Sequence, residues 1–490
     1  MKKTKAIISC LLALVLILVQ VPVLALAAAP KTDKDVTVHY VEDHFQKKGD
    51  DAWTFHYSDS YFSGSAYDYS HPLAKMSLGL ALASASSREA RNAKDYNTEN
   101  RNFVSLMKDC GFTDPQSNKW MRSVPSNDSI GVNVAAKKLK DSTLLAVGIR
   151  GDLYRSEWGG NLELGPEGMH QNWDKTSDQT LAFLKEYIAK HKIKGPVKVW
   201  MSGYSRAAAT ANLAGGKLDD GFSLGKDVTL QPKDTYVYTF ESPMGAQKAY
   251  ASKPLYNNIQ NMVSENDIVA AVPPTQMGFC RYGVDRFLPD KQDAGDEMAA
   301  AFRSKLKEVP NELFNLYIPD AYQSFGSKYD SPKELYPALG EALTTSFVTS
   351  RQDYVDHVQK YLMDIATAYY STGDKDLSTS RAFQGFAKKV QDNGNEVFKS
   401  LLSPTSNTAD LLLSYLVDSF KEEGYIDYDL PQLKAMVDEL TPRLAKMAKD
   451  YPEVTRTTIL NLLPCIAAHD VAPNLVMMEV LPDNYFSSVH

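Results

Sequence analysis

A strand-like segment that runs through a serine turn into an alanine-rich segment constrains the fold of this chain most. Residues 197–204 read V-K-V-W-M-S-G-Y, and their apolar and β-branched side chains are typical of a buried strand. Residues 206–216 read R-A-A-A-T-A-N-L-A-G-G, and their alanines favour a helix. The sequence therefore predicts a strand that turns at Ser205 directly into a helix.

Small residues flank Ser205 where a tight strand-to-helix turn needs them. Gly203 and Ala207, two residues before and after the serine, let the backbone pass close to its neighbours. Such a turn exposes the serine hydroxyl, and the helix start supplies N–H groups where a negatively charged oxygen would form. We therefore predict that Ser205 is a catalytic nucleophile. The alternative is an ordinary strand–helix turn with a surface serine.

Strands and helices alternate along the first 290 residues, which predicts a mostly parallel α/β sheet. Short alternating segments within residues 36–70 predict an antiparallel pair ahead of this sheet. Helices are expected at residues 73–86, at 101–106 and around 181–188. The remaining strands of the sheet are predicted at residues 144–149, 235–240 and 258–263.

The composition changes after Leu288 and divides the chain into parts. Residues 291–449 show repeated helical periodicity and no convincing strand, which predicts a helical cap or insertion. We expect an α/β-hydrolase-type core at residues 28–290 and a C-terminal part of that core at 450–490.

The N-terminus has the pattern of a secretory signal peptide at residues 1–27. A basic start, M-K-K-T-K, precedes an apolar stretch from about residue 6 to residue 24 and the small residues A-L-A-A-A. We expect cleavage after Ala27 and a secreted protein. Cleavage after Ala29 and an uncleaved membrane anchor are the alternatives.

Charge and cysteine content exclude some classes of function. The formal net charge of −7 becomes more negative once the lysines of the leader are removed, which disfavours nucleic acid as a partner. Cys110, Cys280 and Cys465 are an odd number for an exported chain, so one bridge with one buried thiol and three free buried thiols both remain open. No cysteine pair has metal-ligand spacing, and we expect no metal or cofactor. The oligomeric state stays open.

A catalytic serine needs a base and an acid that orients the base, in the chain order serine, acid, histidine for this type of fold. Asp267, in S-E-N-D-I-V, follows a predicted strand end at the sheet edge that carries Ser205. It is the predicted acid. Its neighbour Glu265 is an alternative acid, and capping of the following turn is the structural alternative for Asp267.

Three histidines follow the predicted acid in the chain: His357, His469 and His490. His357 falls within a predicted helix of the cap, and His490 is the last residue, where order is rarely enforced. His469 lies on a predicted loop before a final amphipathic helix. We therefore predict His469 as the base, with helix capping as its structural alternative.

The oxyanion that forms during acyl transfer needs two N–H donors. One normally comes from the residue after the nucleophile and the other from the loop after the third strand, here residues 148–161. The expected donors are the backbone N–H groups of Arg206 and Asp152.

Six segments together resemble the class 3 lipase branch of the α/β-hydrolases, and more closely the related bacterial lipase-family proteins. The resemblance covers roughly residues 70–290 and 455–482 and is specific only in combination. The matching segments are I-R-G-D with downstream Trp158, G-M-H-Q-N-W, G-Y-S-R-A-A-A-T-A-N-L-A, T-F-E-S-P-M-G, S-E-N-D-I-V and A-H-D.

This resemblance implies the triad Ser205, Asp267 and His469. The chain departs from the family pattern at Asp152, because the family usually has a Thr or Ser after Arg-Gly. A carboxylate aimed at the oxyanion would oppose it, so only the backbone N–H of Asp152 can help.

These features together predict a serine hydrolase that cleaves carboxylic esters, of lipids in particular, through an acyl-enzyme. The expected partner is an ester or lipid substrate, with transient contact to a lipid interface left open. Alternatives are a small-ester esterase, a phospholipase, a peptidase, or a non-catalytic binding protein on the same scaffold.

Overall fold

The computed structural model describes most of the chain beyond its N-terminus. The described ranges are residues 32–40, 51–85, 100–122, 126–151, 155–289, 291–308, 321–363, 379–403, 407–422 and 430–488. The predicted signal peptide at residues 1–27 lies outside them. Within these ranges, no helix is both long and apolar enough to cross a membrane.

A central sheet of eight strands organises the first part of the chain. Its order is β12-β10-β8-β6-β5-β4-β3, and the short β7 pairs with β6. Pairing is parallel from β5 through to β12 and antiparallel between β3, β4 and β5. The strands are β3 Thr113–Ser117, β4 Val132–Lys138, β5 Thr143–Ile149, β6 Gly195–Tyr204, β7 Val228–Thr229, β8 Thr235–Phe240, β10 Ile259–Ser264 and β12 Val284–Leu288.

Two small antiparallel pairs lie outside the central sheet. The first joins β1 (Asp33–Tyr40) to β2 (Asp51–Ser58), which confirms the predicted lead-in pair. The second joins the two-residue strands β9 (Ala246–Gln247) and β11 (Phe279–Cys280).

Seventeen α-helices are found in the described residues. Their bounds are α1 His71–Ala83, α2 Arg101–Asp109, α3 Lys119–Arg122, α4 Gln171–Lys190, α5 Arg206–Asp219, α6 Lys248–Ala251, α7 Lys291–Leu306, α8 Pro332–Ala342, α9 Arg351–Asp353, α10 Thr379–Asp392, α11 Gly394–Leu402, α12 Thr408–Glu422, α13 Leu430–Asp450, α14 Pro452–Leu460, α15 Leu462–Ala467, α16 Val471–Val480 and α17 Tyr485–Ser488.

Helices cover both faces of the sheet because its strands are apolar on both sides. In β6, Val199 and Met201 pack with the helices α4 and α5 on one face. Trp200 points to the other face and packs with α1 and the β1–β2 pair. A mostly parallel sheet between helical layers is the α/β-hydrolase-type fold that the sequence predicts.

The described residues between 291 and 449 contain helices and no strand. Helices α8 and α10–α14 bury apolar side chains in three small clusters of their own. Helix α7 differs, because its Phe302 and Leu306 belong to the main core and it packs against α16. The predicted cap boundary at residue 291 stays a prediction, and the first helix beyond it contacts the core.

The three cysteines of the predicted mature chain, Cys110, Cys280 and Cys465, are free thiols in the structure. Cys110 and Cys465 are buried, and Cys280 is partly exposed. The three thiols are free, as in the second of the two cysteine alternatives, but Cys280 is not buried as that alternative expects.

Candidate active site

The turn between β6 and α5 holds Ser205 in an unusual backbone conformation. Ser205 has φ 58° and ψ −127°, in a region that residues other than glycine rarely adopt. Its N–H donates to the carbonyl of Phe240, 2.9 Å away, which fixes the turn to the neighbouring strand β8. A Cβ at Gly203 would lie 2.5 Å from the backbone of Ala207, so only glycine fits there. The turn is the strained strand-to-helix geometry that the sequence predicts.

His469 joins Ser205 and Asp267 in one hydrogen-bonded chain. Its Nε2 lies 2.7 Å from Ser205 Oγ, and its Nδ1 lies 2.6 Å from Asp267 Oδ2. The Asp267 side chain is fully buried, whereas the His469 side chain is 20% exposed. The structure thus brings together three side chains that are distant in the sequence, since His469 lies more than 200 residues after both Ser205 and Asp267. Their catalytic roles remain predictions.

The backbone around Asp267 places its carboxylate at the carboxyl end of the sheet. Asp267 comes three residues after β10 ends, and its Oδ1 accepts the Val269 N–H at 2.7 Å. The next residue, Ile268, donates to the carbonyl of Cys465 at 3.2 Å. The acid-bearing loop is therefore bound to α15, the helix just before His469.

Tyr204 connects the nucleophile turn to the histidine, a role that the sequence reasoning missed. Its hydroxyl donates to the carbonyls of His469 and Asp470, at 3.0 and 2.9 Å. Asn474 on α16 donates to the same hydroxyl at 2.9 Å. Because Tyr204 directly precedes Ser205, these bonds fix the position of His469 relative to the serine.

The alternative acid and bases make other contacts. Glu265 pairs with Lys333 at 2.9 Å. His357 is exposed and its Nδ1 lies 3.0 Å from Asp353. His490 lies outside the described residues. Within the described ranges, no group of three or more His, Cys, Asp or Glu side chains could hold a metal ion.

Of the two predicted oxyanion donors, Arg206 lies within the described residues and Asp152 does not. Arg206 is the first residue of α5, so its N–H lies at the positive end of the helix dipole, directly after Ser205. Its side chain is buried and turned into the protein. Asp152 lies outside the described residues, so its contribution remains a prediction.

A buried cluster of three charges lies behind the nucleophile turn. Glu157 contacts the guanidinium of Arg150 and lies 3.1 Å from that of Arg206, and all three are almost fully buried. Arg206 also donates to Asn161 at 3.1 Å. Glu157 therefore links the start of α5 to the segment after β5, which carries the other predicted donor.

We expect the Glu157→Gln substitution to destabilise the fold by about 3–5 kcal/mol, because it leaves two buried arginines without the carboxylate that they share. Urea unfolding followed by circular dichroism measures this change. The matched control is Asp392→Asn, which removes one partner of an exposed pair with Lys388 and should change little. Equal stability of both variants would show that the buried cluster contributes no more than a surface pair.

The G-M-H-Q-N-W segment acts structurally beside this cluster. The His170 ring stacks on Trp173 with centroids 3.6 Å apart, and its Nε2–H donates to the Asn161 carbonyl at 3.2 Å. Burial lowers the pKa of His170 to about 3, so the ring stays neutral. Its backbone N–H donates to Gly245 at 2.9 Å. His170 thereby supports the loop that contacts Arg206.

The family model for class 3 lipases matches residues 157–277, about a quarter of the chain. The matched region contains Ser205 and Asp267 and ends before His469. This match supports an ester or lipid hydrolase. No curated protein sequence matches the chain.

Several solved lipase structures are similar to parts of the chain. A triacylglycerol lipase described as having a serine-protease triad is 18% identical over 45% of this chain and 80% of its own, with a TM-score of 0.32. The Rhizomucor miehei lipase propeptide complex is 17% identical over 44% of this chain and 67% of its own, with a TM-score of 0.31. A Rhizopus microsporus var. chinensis lipase is 17% identical over 45% of this chain and 75% of its own, with a TM-score of 0.30. The bacterial branch that the motifs suggest is not tested by these matches.

Proposed function

We propose that this chain is a secreted serine hydrolase that cleaves carboxylic esters, in particular those of lipids, through an acyl-enzyme. The observation that carries the proposal is the hydrogen-bonded chain from Asp267 through His469 to Ser205, with distances of 2.6 and 2.7 Å. The class 3 lipase match supports the ester or lipid substrate class. Export would use the predicted leader at residues 1–27.

Acylation would begin with attack of Ser205 Oγ on the ester carbonyl carbon. His469 Nε2 accepts the hydroxyl proton as the new C–O bond forms, and the carbonyl oxygen becomes an oxyanion. Asp267 accepts a hydrogen bond from the Nδ1–H of His469 and stabilises the imidazolium that results. The N–H of Arg206, together with that of Asp152, would stabilise the oxyanion.

The tetrahedral intermediate then collapses. The imidazolium of His469 gives its proton to the leaving alcohol oxygen, which leaves the acyl group on Ser205. Water enters, His469 takes its proton, and the same sequence releases the carboxylic acid and restores the serine. The reaction needs no group beyond these side chains, the N–H donors and water.

Helices of the predicted cap contact the segments around the site. Arg351 on α9 donates to five backbone carbonyls, those of Leu164, Gly165, Glu167, Gly168 and Met169, at 2.5–3.0 Å. The Tyr336 hydroxyl on α8 donates to the carbonyl of Asn266, next to Asp267. We propose that the helical region lines the acyl pocket and selects the substrate.

A series of p-nitrophenyl esters of increasing chain length tests this proposal. A lipase-type enzyme should prefer long chains, whereas a small-ester esterase should prefer acetate or butyrate. Hydrolysis of phospholipid or peptide substrates without activity on this series would favour a phospholipase or a peptidase instead. Absence of hydrolysis in every assay would contradict the proposed function.

We expect Arg351→Ala to change chain-length preference more than reactivity, because it releases α9 from the segment at 164–169. The ratio of long-chain to butyrate hydrolysis should change about three- to tenfold, equivalent to roughly 1 kcal/mol. Arg456→Ala is the control, since Arg456 is partly exposed and its polar contacts are to Phe325 and Asn395. Equal loss on both esters would show that the helical region supports the core and does not select the substrate.

A further inference from the structure

A second carboxyl group, Glu241, lies directly behind the predicted acid. Glu241 follows the last residue of β8 and is fully buried. Its φ of 47° lies in the left-handed region, which is costly for a residue other than glycine. Its N–H donates to the Met262 carbonyl at 2.9 Å. The neighbouring strand β10 therefore holds the backbone of Glu241.

The side chain of Glu241 is fixed at both oxygens. The Ser264 N–H donates to them, at 2.9 Å to Oε1 and 3.1 Å to Oε2. The side chain of Asp267 lies next to this carboxyl. Asp267 itself already accepts from Val269 and faces His469.

Two almost fully buried carboxyl groups that lie side by side cannot both be ionised, so the pair holds one proton. Burial, together with the negative charge of Asp267, raises the pKa of Glu241 well above its usual range. Because the Asp267 carboxylate already accepts from Val269 and faces His469, the proton lies on Glu241, which donates to Asp267. The pair carries a single negative charge, which faces His469.

The other charged and titratable groups around the pair leave this arrangement in place. Arg281 is near both carboxyls, but its guanidinium pairs with Asp285 at 2.7 Å and donates to the carbonyls of Ser242 and Ala270. On the Asp267 side, burial raises the pKa of Cys465 to about 12 and that of Tyr336 well above its usual range. Both therefore stay neutral. These residues neither remove the proton from Glu241 nor replace it as donor.

We infer that Glu241 is a positioning residue of the triad, a protonated carboxyl whose hydrogen bond to Asp267 limits how strongly that carboxylate stabilises the imidazolium of His469. The inference rests on the proposed function. A donor to Asp267 withdraws part of its negative charge, which weakens the attraction between Asp267 and a proton on His469. Nothing in the sequence pattern assigns this role to Glu241.

Two substitutions separate this role from a structural one. Glu241→Gln keeps the side-chain shape, can accept from Ser264 and can still donate to Asp267 through its amide. Glu241→Leu removes the donor. If Glu241→Leu fails to fold, Glu241→Gly replaces it, since glycine adopts a positive φ without strain.

The measurement is the rate at which a fluorophosphonate modifies Ser205 as a function of pH, with kcat/KM for an ester over the same range. Both rates require neutral His469, so each has an acid limb. We expect the acid limb of Glu241→Leu to move about half to one pH unit upward, since the imidazolium gains stability. The limb of Glu241→Gln should match that of the native protein.

Each outcome has a separate meaning. Superimposable profiles in all variants, or the same shift in Glu241→Gln as in Glu241→Leu, would overturn the inference about Glu241 and leave the proposed function intact. Failure of the native protein to react with the probe at any pH would overturn the proposed function and this inference with it.

Discussion

Replacing Ser205 with alanine is expected to lower ester turnover by a factor on the order of a million, the scale on which a serine triad loses activity without its nucleophile. The Ser205 hydroxyl contacts His469, whereas the turn is held by backbone bonds that alanine keeps. Thermal unfolding should therefore be nearly unchanged. The measurement is kcat/KM on p-nitrophenyl butyrate.

Ser252→Ala is the matched control for this change, because Ser252 is exposed and its hydroxyl bonds only the carbonyl of Lys248 among the described contacts. Native activity in the Ser205 variant would show that the turn at the end of β6 does not carry the nucleophile.

The change His469→Ala is expected to be nearly as severe as loss of the serine, because residues of one triad act as a unit. The imidazole is the group 2.7 Å from Ser205 Oγ, and no other described histidine contacts that oxygen. Activity should fall by a factor on the order of 10⁵ to 10⁶. Steady-state kinetics measures a loss of this size when the enzyme concentration is high enough for turnover to exceed background hydrolysis.

His357→Ala provides the control for the histidine change, since His357 is exposed and hydrogen-bonds Asp353 within its own helical segment. It should retain activity close to that of the native protein. The opposite pattern, with the His357 variant inactive and the His469 variant active, would place the base in the helical region.

The sequence alone predicts four of the eight strands of the central sheet, β5, β6, β8 and β10, because they are apolar runs; it misses β3, β4, β7 and β12. The segment T-Y-V-Y-T-F is the strand β8 at Thr235–Phe240, and every one of its residues is buried. The predicted strand at 144–149 starts one residue late relative to β5. Helix α7 is harder to assign, since its periodicity does not reveal that Phe302 and Leu306 join the main core.

The candidate triad can be selected from the sequence because chain order and loop position limit the choice. Asp267 follows a strand end, and His469 is one of only three later histidines. The groups that support them cannot be selected in this way. Tyr204 and Glu157 act through partners that are distant in sequence, and only the fold brings these partners close.

Glu241 did leave a signal in the sequence. It is a charged residue directly after six apolar or hydroxyl residues of a buried strand, in T-F-E-S-P-M-G. A carboxyl at that point must find a partner or a proton. The sequence does not say which, because the answer depends on the nearby Asp267.

Covalent labelling tests whether Ser205 is the catalytic nucleophile. The full chain is treated with a fluorophosphonate at neutral pH, digested, and analysed by mass spectrometry. We expect one adduct per chain, on the peptide that contains Ser205, with no adduct in Ser205→Ala and much slower labelling in His469→Ala. An unmodified Ser205 in a folded native protein, or an adduct on a different serine, would contradict this expectation.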